Sequence, residues 1–286
     1  MILTPFEFAR PSTLKQATTL LAGTGGSRPL AGGQSLLVDL TTGEAEAPLL
    51  VDLALLDELR GIQRRRDGGL SIGAMTTLAE LATHPEVRTA APALAEAAGA
   101  NGDPQVRNRG TVGGNLAADR SGPGLRATDL PVAAIALDAV LTLADAKRSW
   151  TLPAAELAEG LPAGAVITSL DLPGPGSGGS SRSAFEKSAD RASLYPLCAV
   201  AVRLNTAEDG SEERYRIAVT GATGKPLRLT GVEARLAGTR PGTAAVLEAF
   251  AAVPPGVFVP GRGGSAEYLR HLAGVLTSRA LARAGA

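Results

Sequence analysis

The sequence predicts an α+β protein of two domains. Three observations lead there. Short apolar runs of β character alternate with stretches of helical spacing along the chain. The length, 286 residues, suits about two domains. The segment Gly174-Pro175-Gly176-Ser177-Gly178-Gly179-Ser180-Ser181 has a linker's composition, and the pattern changes after it.

The elements follow in order. Phe6-Glu7-Phe8 reads as a short strand. A helix starts at Ser12 or Thr13, either of which can cap it, and Leu14, Ala17, Thr18 and Leu21 keep helical spacing until Gly23 and Gly25-Gly26 end it. Arg28 to Ala31, Leu49 to Leu53 and Leu70 to Ala74 read as strands, the last after an Asp67-Gly68-Gly69 hairpin signal. Thr77 to His84 and Ala90 to Ala100 read as helices. Leu130 to Leu143 reads as helix, Asp138-Ala139 turn, then strand. Ala165 to Leu172 is a strand that Pro173 terminates. Beyond the linker, Ala184 to Lys187, Leu197 to Leu204 and Arg214 to Thr220 form a meander, with Glu208-Asp209-Gly210 turning the last two. Gly242 to Ala251 and Ser265 to Ala284 close the chain as helices.

Composition excludes several classes. Lys plus Arg and Asp plus Glu both number 28, so no basic excess points to nucleic acid. Aromatics are 3%, too few for a base-stacking platform. The single cysteine, Cys198, forms no internal disulfide and cannot hold an iron–sulfur cluster, which takes four thiolates. It sits in the apolar run Leu197 to Val202 and reads as core. His84 and His271 lack metal-ligand spacing, so no zinc site is expected. No signal peptide and no transmembrane stretch is legible, and the expectation is a soluble cytoplasmic protein.

Two glycine-rich segments hold the chemistry: Ala31-Gly32-Gly33-Gln34-Ser35-Leu36 and Asn108-Arg109-Gly110-Thr111-Val112-Gly113-Gly114-Asn115. Successive N–H groups in a tight glycine turn make an anion-binding nest. Ser35, Thr111 and Asn115 add side-chain donors. Two such segments suit an elongated, doubly charged ligand such as a dinucleotide pyrophosphate; plain tight turns are the other reading. Neither standard nucleotide motif is met. Gly23-Thr24-Gly25-Gly26-Ser27-Arg28 has Arg at the third glycine position, and Gly224-Lys225 is followed by Pro226. Arg107 and Arg109 flank the second segment, either as solvent-facing charge or as bidentate phosphate partners.

These segments, with Ile72-Gly73-Ala74-Met75-Thr76-Thr77 and Asp103 to Ala117, closely resemble the FAD-binding medium subunit of the molybdenum hydroxylases, the xanthine dehydrogenase and aerobic carbon monoxide dehydrogenase family. Ser265 to Ala273 is similar to that family's last helix, and the likeness spans essentially the whole chain. The resemblance implies a p-cresol methylhydroxylase/vanillyl-alcohol oxidase (PCMH/VAO) type FAD-binding fold over residues 1–175, with subdomains of about 1–56 and 57–175. A C-terminal α+β domain of the carbon monoxide dehydrogenase flavoprotein type follows over 182–286. It implies that Ala31, Gly32, Gly33, Gln34, Ser35 and Leu36, with Thr111, Val112, Gly113, Gly114 and Asn115, bind the pyrophosphate largely through backbone amides. It further implies cofactor contacts for Asp129, Ile167 and Lys187: Asp129 to ribose or adenine, Ile167 packing on a ring, Lys187 placing positive charge near the flavin. The structural alternatives are a helix N-cap, core packing and a strand-edge charge.

The chain departs from the pattern in places. Where some family members set an aromatic against the flavin, this chain has Asn101-Gly102, so another group must shield that face. Asp119 to Gly124 lengthens the approach to Asp129. Cysteines for an extra cluster, present in some relatives, are absent.

The implied activity is electron transfer. FAD in this chain would take electrons from [2Fe–2S] clusters of a small subunit, fed by a molybdenum-cofactor large subunit, and pass them to quinone, oxygen or NAD. The implied assembly is a heterotrimer or its dimer. No catalytic nucleophile or general base is assigned. Two other readings stand beside it: a stand-alone flavin oxidase of the same fold, and a flavin-free nucleotide-binding or assembly module.

Overall fold

The computed structural model describes residues 5–118, 126–174, 180–206 and 213–285. The Glu208-Asp209-Gly210 turn, the Asp119–Gly124 segment and most of the glycine-serine linker lie outside the described residues. The described chain builds three sheets in sequence, each with its own core.

The first sheet is parallel. It comprises β1 (Glu7–Ala9), β2 (Arg28–Leu30) and β3 (Leu49–Asp52), in the order β1-β3-β2. Helices α1 (Leu14–Gly23) and α2 (Leu36–Thr42) make the crossovers. Thr13 caps α1 by accepting a hydrogen bond from the Gln16 N–H. Ala17 and Leu21 are then buried against Leu49 and Val51.

The second sheet is antiparallel and five-stranded. Its strands are β4 (Ile62–Arg64), β5 (Leu70–Gly73), β6 (Val140–Ala144), β7 (Ser149–Pro153) and β8 (Val166–Leu172), in the order β4-β5-β8-β6-β7. Short helices lie on it: α3 (Leu78–Thr83), α4 (Pro85–Ala90), α5 (Pro92–Gly99), α6 (Pro104–Arg109), α7 (Val112–Ala117) and α8 (Leu130–Ala136). A capping box joins Thr77 and Glu80 at the start of α3. Prolines open α4, α5 and α6, where a missing N–H costs nothing. Asp138, at φ 53°, turns the chain from α8 into β6.

The third sheet contains β9 (Ser180–Ala189), β10 (Pro196–Thr206), β11 (Glu213–Thr220) and β12 (Leu227–Arg228), antiparallel in the order β12-β11-β10-β9. Helices α9 (Thr230–Leu236), α10 (Thr243–Ala251) and α11 (Ala266–Ala284) cover one face. Alternate residues point each way. Ala184, Cys198, Val200 and Ile217 pack under these helices, whereas Phe185, Ala199, Ala201 and Ala218 join the core of the second sheet. A strand covered on both faces reads as a continuous apolar run, and Leu197 to Val202 is one. Cys198 is fully buried, and burial pushes its thiol up to about 12.

The structure departs from the sequence reading mainly in short elements. Helices α2, α4, α6, α7 and α9 and strands β4, β7 and β12 are not anticipated. Helices of six or seven residues show less than two turns of periodicity, so caps and prolines are their main trace. The expected helix from Ala90 begins at Pro92, where proline opens a new helix. The second glycine segment is the start of helix α7 and not a simple turn.

Candidate functional site

The two glycine segments meet. Gly32 packs so tightly on the second segment that a Cβ there would collide with the Arg109 carbonyl oxygen and stand 2.9 Å from the Gly110 Cα. Between and beside them runs a cleft of about 280 Å³. All three parts of the chain line it: Gly32 to Leu36 and Asp39 from the first, Thr111, Gly113, Gly114, Asn115 and Ile167 from the second, and Ser193 to Tyr195 from the third.

The first segment carries the clearest chemical signal. Gly33 turns at φ 76°, a left-handed conformation that glycine adopts without strain. Leu36 then starts α2, with Ser35 in the N-cap position and its hydroxyl free of any capping bond. The backbone N–H groups of Gly32, Gly33, Gln34, Ser35 and Leu36 have no acceptor among the described residues. These residues are half-buried or exposed, and an unpaired series of amides lining a cleft at a helix start is a geometry that suits an anion.

The second segment is wired differently. The Val112 N–H donates to the Thr76 carbonyl at 3.0 Å and the Gly113 N–H to the Ala74 carbonyl at 2.8 Å. The Gly114 N–H donates to Thr111 Oγ1 at 3.1 Å, and the Asn115 N–H to the Thr111 carbonyl. These amides are already engaged, and Val112 is core with no surface on the cleft. A Cβ on Gly113 would stand 2.7 Å from the Ala74 Cβ, so this glycine permits close packing on the end of β5. What the segment offers a ligand is side chains. The Thr111 hydroxyl keeps its proton to donate. Asn115 accepts from the Leu130 N–H at 3.1 Å through Oδ1, and its Nδ2 has no acceptor among the described residues.

Asp129 and Lys187 stand behind the wall and not on it. Asp129 is buried at the N-cap of α8, yet its carboxylate makes no capping bond. Lys187 Nζ reaches from β9 to lie 2.8 Å from Asp129 Oδ1, and it donates to Oδ2 at 2.9 Å and to the Ala100 carbonyl at 3.0 Å. Asn101, which does line the cleft, donates from Nδ2 to Asp129 Oδ2 at 2.8 Å. The pair therefore reaches the cleft through Asn101. Burial raises the Asp129 carboxyl to about 6 against the opposing pull of Lys187 and Asn101. Ile167 is buried and lines the cleft directly.

Several lining residues escape a sequence reading. Arg28, Asp39, Asn101, Leu194 and Tyr195 all line the cleft. Tyr195 comes from a turn in which Asp190 Oδ1 accepts hydrogen bonds from the Ala192 and Ser193 N–H groups. That Asp-x-x-Ser turn is the one signal that marks the segment. Arg107 donates to the Asn101 and Gly102 carbonyls, so it braces the wall.

The cleft has the features of an anion-gripping dinucleotide site. No histidine or cysteine lines it, and no group of described residues could hold a metal ion. Fold and cleft together define an α+β chain with a cleft suited to an anionic cofactor.

Comparison with known proteins narrows the class. Residues 4–175 match the FAD binding domain in molybdopterin dehydrogenase, and residues 183–284 match the CO dehydrogenase flavoprotein C-terminal domain. The chain is 33% identical to the carbon monoxide dehydrogenase medium chain of Hydrogenophaga pseudoflava, over 98% of this chain and 97% of that one. It is 30% identical to the glyceraldehyde dehydrogenase medium chain of Sulfolobus acidocaldarius, over 96% of each. Among solved structures, carbon monoxide dehydrogenase from Hydrogenophaga pseudoflava matches with a TM-score of 0.88 at 32% identity, covering 99% of this chain and 98% of that one. The chain belongs to the FAD-binding medium subunits of the molybdenum hydroxylase family. Its cofactor is FAD, and it is the FAD-containing subunit of an oxidoreductase. No helix among the described residues is long and apolar enough to cross a membrane.

Proposed function

We propose that this chain relays electrons within a molybdenum hydroxylase complex, from [2Fe–2S] clusters of a small subunit to an external acceptor, with substrate oxidised on a molybdenum-cofactor large subunit. The observation that carries the reading is the run of unpartnered N–H groups from Gly32 to Leu36 on the cleft wall. They suit the pyrophosphate of FAD, which supplies the redox chemistry when bound. The Thr111 hydroxyl and Asn115 Nδ2 donate from the opposite side, while Gly113 and Gly114 hold that side close. Ile167 packs on a ring of the cofactor. Tyr195 offers the aromatic face that Asn101-Gly102 lacks. Asp129 and Lys187 fix the position of Asn101 and set a buried charge pair behind it.

The domain division at 1–175 and 182–286, with subdomains of about 1–56 and 57–175, belongs to the same reading. So do a cytoplasmic location and assembly as a heterotrimer or its dimer. Clusters need cysteine thiolates, and the chain has one cysteine, buried in the third sheet. The clusters therefore come with another chain. The relatives' names differ in substrate, carbon monoxide against glyceraldehyde, which fits a medium subunit that does not touch substrate.

Purification of the tagged chain from its native host tests this. Flavin absorbance with a large and a small companion chain, iron and molybdenum is the expected result. A lone yellow chain reduced directly by a substrate would make it a stand-alone oxidase instead.

A further inference from the structure

Asn101 lines the cleft, and its surroundings pin both its backbone and its side chain. Its N–H donates to the Ala98 carbonyl at 3.3 Å, and its own carbonyl accepts from Arg107 Nη1 at 3.2 Å. Arg107 also donates to the Gly102 carbonyl at 2.7 Å, and Lys187 Nζ donates to the Ala100 carbonyl at 3.0 Å, so the residues on either side are held as well. The side-chain amide donates from Nδ2 to Asp129 Oδ2 at 2.8 Å.

An asparagine amide has a donor end and an acceptor end, and its partners decide which end faces which way. Asp129 is buried and paired with Lys187, itself nearly buried, at 2.8 Å. Burial raises its carboxyl to about 6, which is still below neutrality, so the group is ionised there. An ionised carboxylate accepts and cannot donate. It therefore takes the NH2 end of Asn101 and leaves the oxygen over. Asn101 Oδ1 has no donor among the described residues and is not sealed in the interior, and the residue that carries it is otherwise buried on the cleft wall. The wall thus presents one hydrogen-bond acceptor in a fixed orientation. The hydroxyls of FAD both donate and accept and can rotate, so a fixed acceptor selects little among them. The N–H groups on its rings are rigid donors. The oxidised isoalloxazine has one, at N3, and adenine has its 6-amino group.

We propose that Asn101 is a specificity residue for the cofactor, whose locked Oδ1 accepts a hydrogen bond from a ring N–H of FAD. Asp129 and Lys187 are positioning residues under this proposal, since they hold the amide this way round. The inference rests on the FAD reading of the cleft.

The test titrates the full-length chain, freed of flavin, with FAD and two analogues, following quenching of flavin fluorescence. One analogue is methylated at N3 of the isoalloxazine, and the other carries two methyl groups on the adenine 6-amino nitrogen. Each lacks one of the two donors. One analogue binds the unsubstituted chain about tenfold more weakly than FAD, or worse, because it leaves the wall acceptor unpaired. Which analogue it is identifies the ring. Asn101→Leu, which keeps the size and removes the acceptor, binds FAD and that analogue within about twofold of each other. A methyl group that merely clashes would weaken both chains alike, so the variant separates lost bonding from lost space. Its unfolding temperature is recorded beside the titration, and Asn101→Ala, equally without an acceptor, serves if Asn101→Leu does not fold. Equal affinity of the unsubstituted chain for FAD and both analogues overturns the proposal. So does a loss that persists unchanged in the variant. If the unsubstituted chain takes up no FAD, the cleft reading itself falls and the proposal falls with it, an outcome distinct from uptake without discrimination.

Discussion

Along residues 32–36 the backbone N–H groups have no acceptor among the described residues, whereas along 112–115 every one is donated within the protein. Both segments pair glycines with small polar residues, and both start a short helix. The first leaves its donors unpaired on the cleft wall. The second spends them on Thr76, Ala74 and Thr111, and so becomes the scaffold against which the first is pressed. The comparison teaches that a glycine-rich signature has two physical uses. One is to present amides, and the other is to let backbones approach where a Cβ would not fit. Hydrogen-bond bookkeeping separates the two.

Substitutions can break this contrast. Gly32→Val has the largest expected effect. Its side chain would drive the first segment off the Arg109 carbonyl, so FAD is lost altogether and stability falls. The absorbance ratio at flavin and protein wavelengths checks it, and a stoichiometric flavin content would contradict it. Gly113→Val comes next. Its Cβ meets Ala74 and not the ligand, so overpacking destabilises the fold by about 1–3 kcal/mol, and flavin loss follows that instability. Denaturant unfolding of the apo-protein reads this directly; a full-strength fold that simply fails to bind FAD would move Gly113 to the ligand side.

Thr111→Val sharpens the contrast further. It removes the N-cap acceptor of α7 at a cost of about 0.5–2 kcal/mol and takes away one donor to the ligand. FAD affinity then falls modestly with the cradle intact, as fluorescence titration would show.

The smallest effect concerns pH. The Asp129 carboxyl is raised in the folded chain to about 6, above the ordinary value of about 3.9. Between those values the folded state holds the proton more tightly than the unfolded state. Asp129 therefore contributes stability below about pH 4, and that contribution declines as pH rises through about 6. Asp129→Asn flattens that part of the stability profile. An unchanged profile between about pH 4 and 6 in the variant would show that Lys187 and Asn101 outweigh burial.

Much of this was legible in the residues. The central strands of the three sheets carry apolar runs, and Asp138-Ala139 marks the α8–β6 corner. Both glycine segments stood out, and Ala31 to Leu36, Thr111, Gly113, Gly114, Asn115 and Ile167 all line one cleft. What stayed hidden depends on distant partners. Nothing local in Asp129 or Lys187 tells that they lie 2.8 Å apart across 58 residues of chain. Tyr195, Asn101 and Arg28 line the cleft from three distant stretches of the chain, with no shared motif. The helical start at Val112 was masked because Gly113-Gly114 is a poor helix former, so only Thr111 signals it.

The most direct measurement is amide hydrogen exchange of the full-length chain with and without FAD, resolved to short peptides over both glycine segments. Strong new protection at residues 32–36 on adding FAD, with little change at 112–115, is the predicted result, because only the first set of amides is free to meet the pyrophosphate. Protection confined to 112–115, or none at 32–36, would contradict the assignment of the cradle.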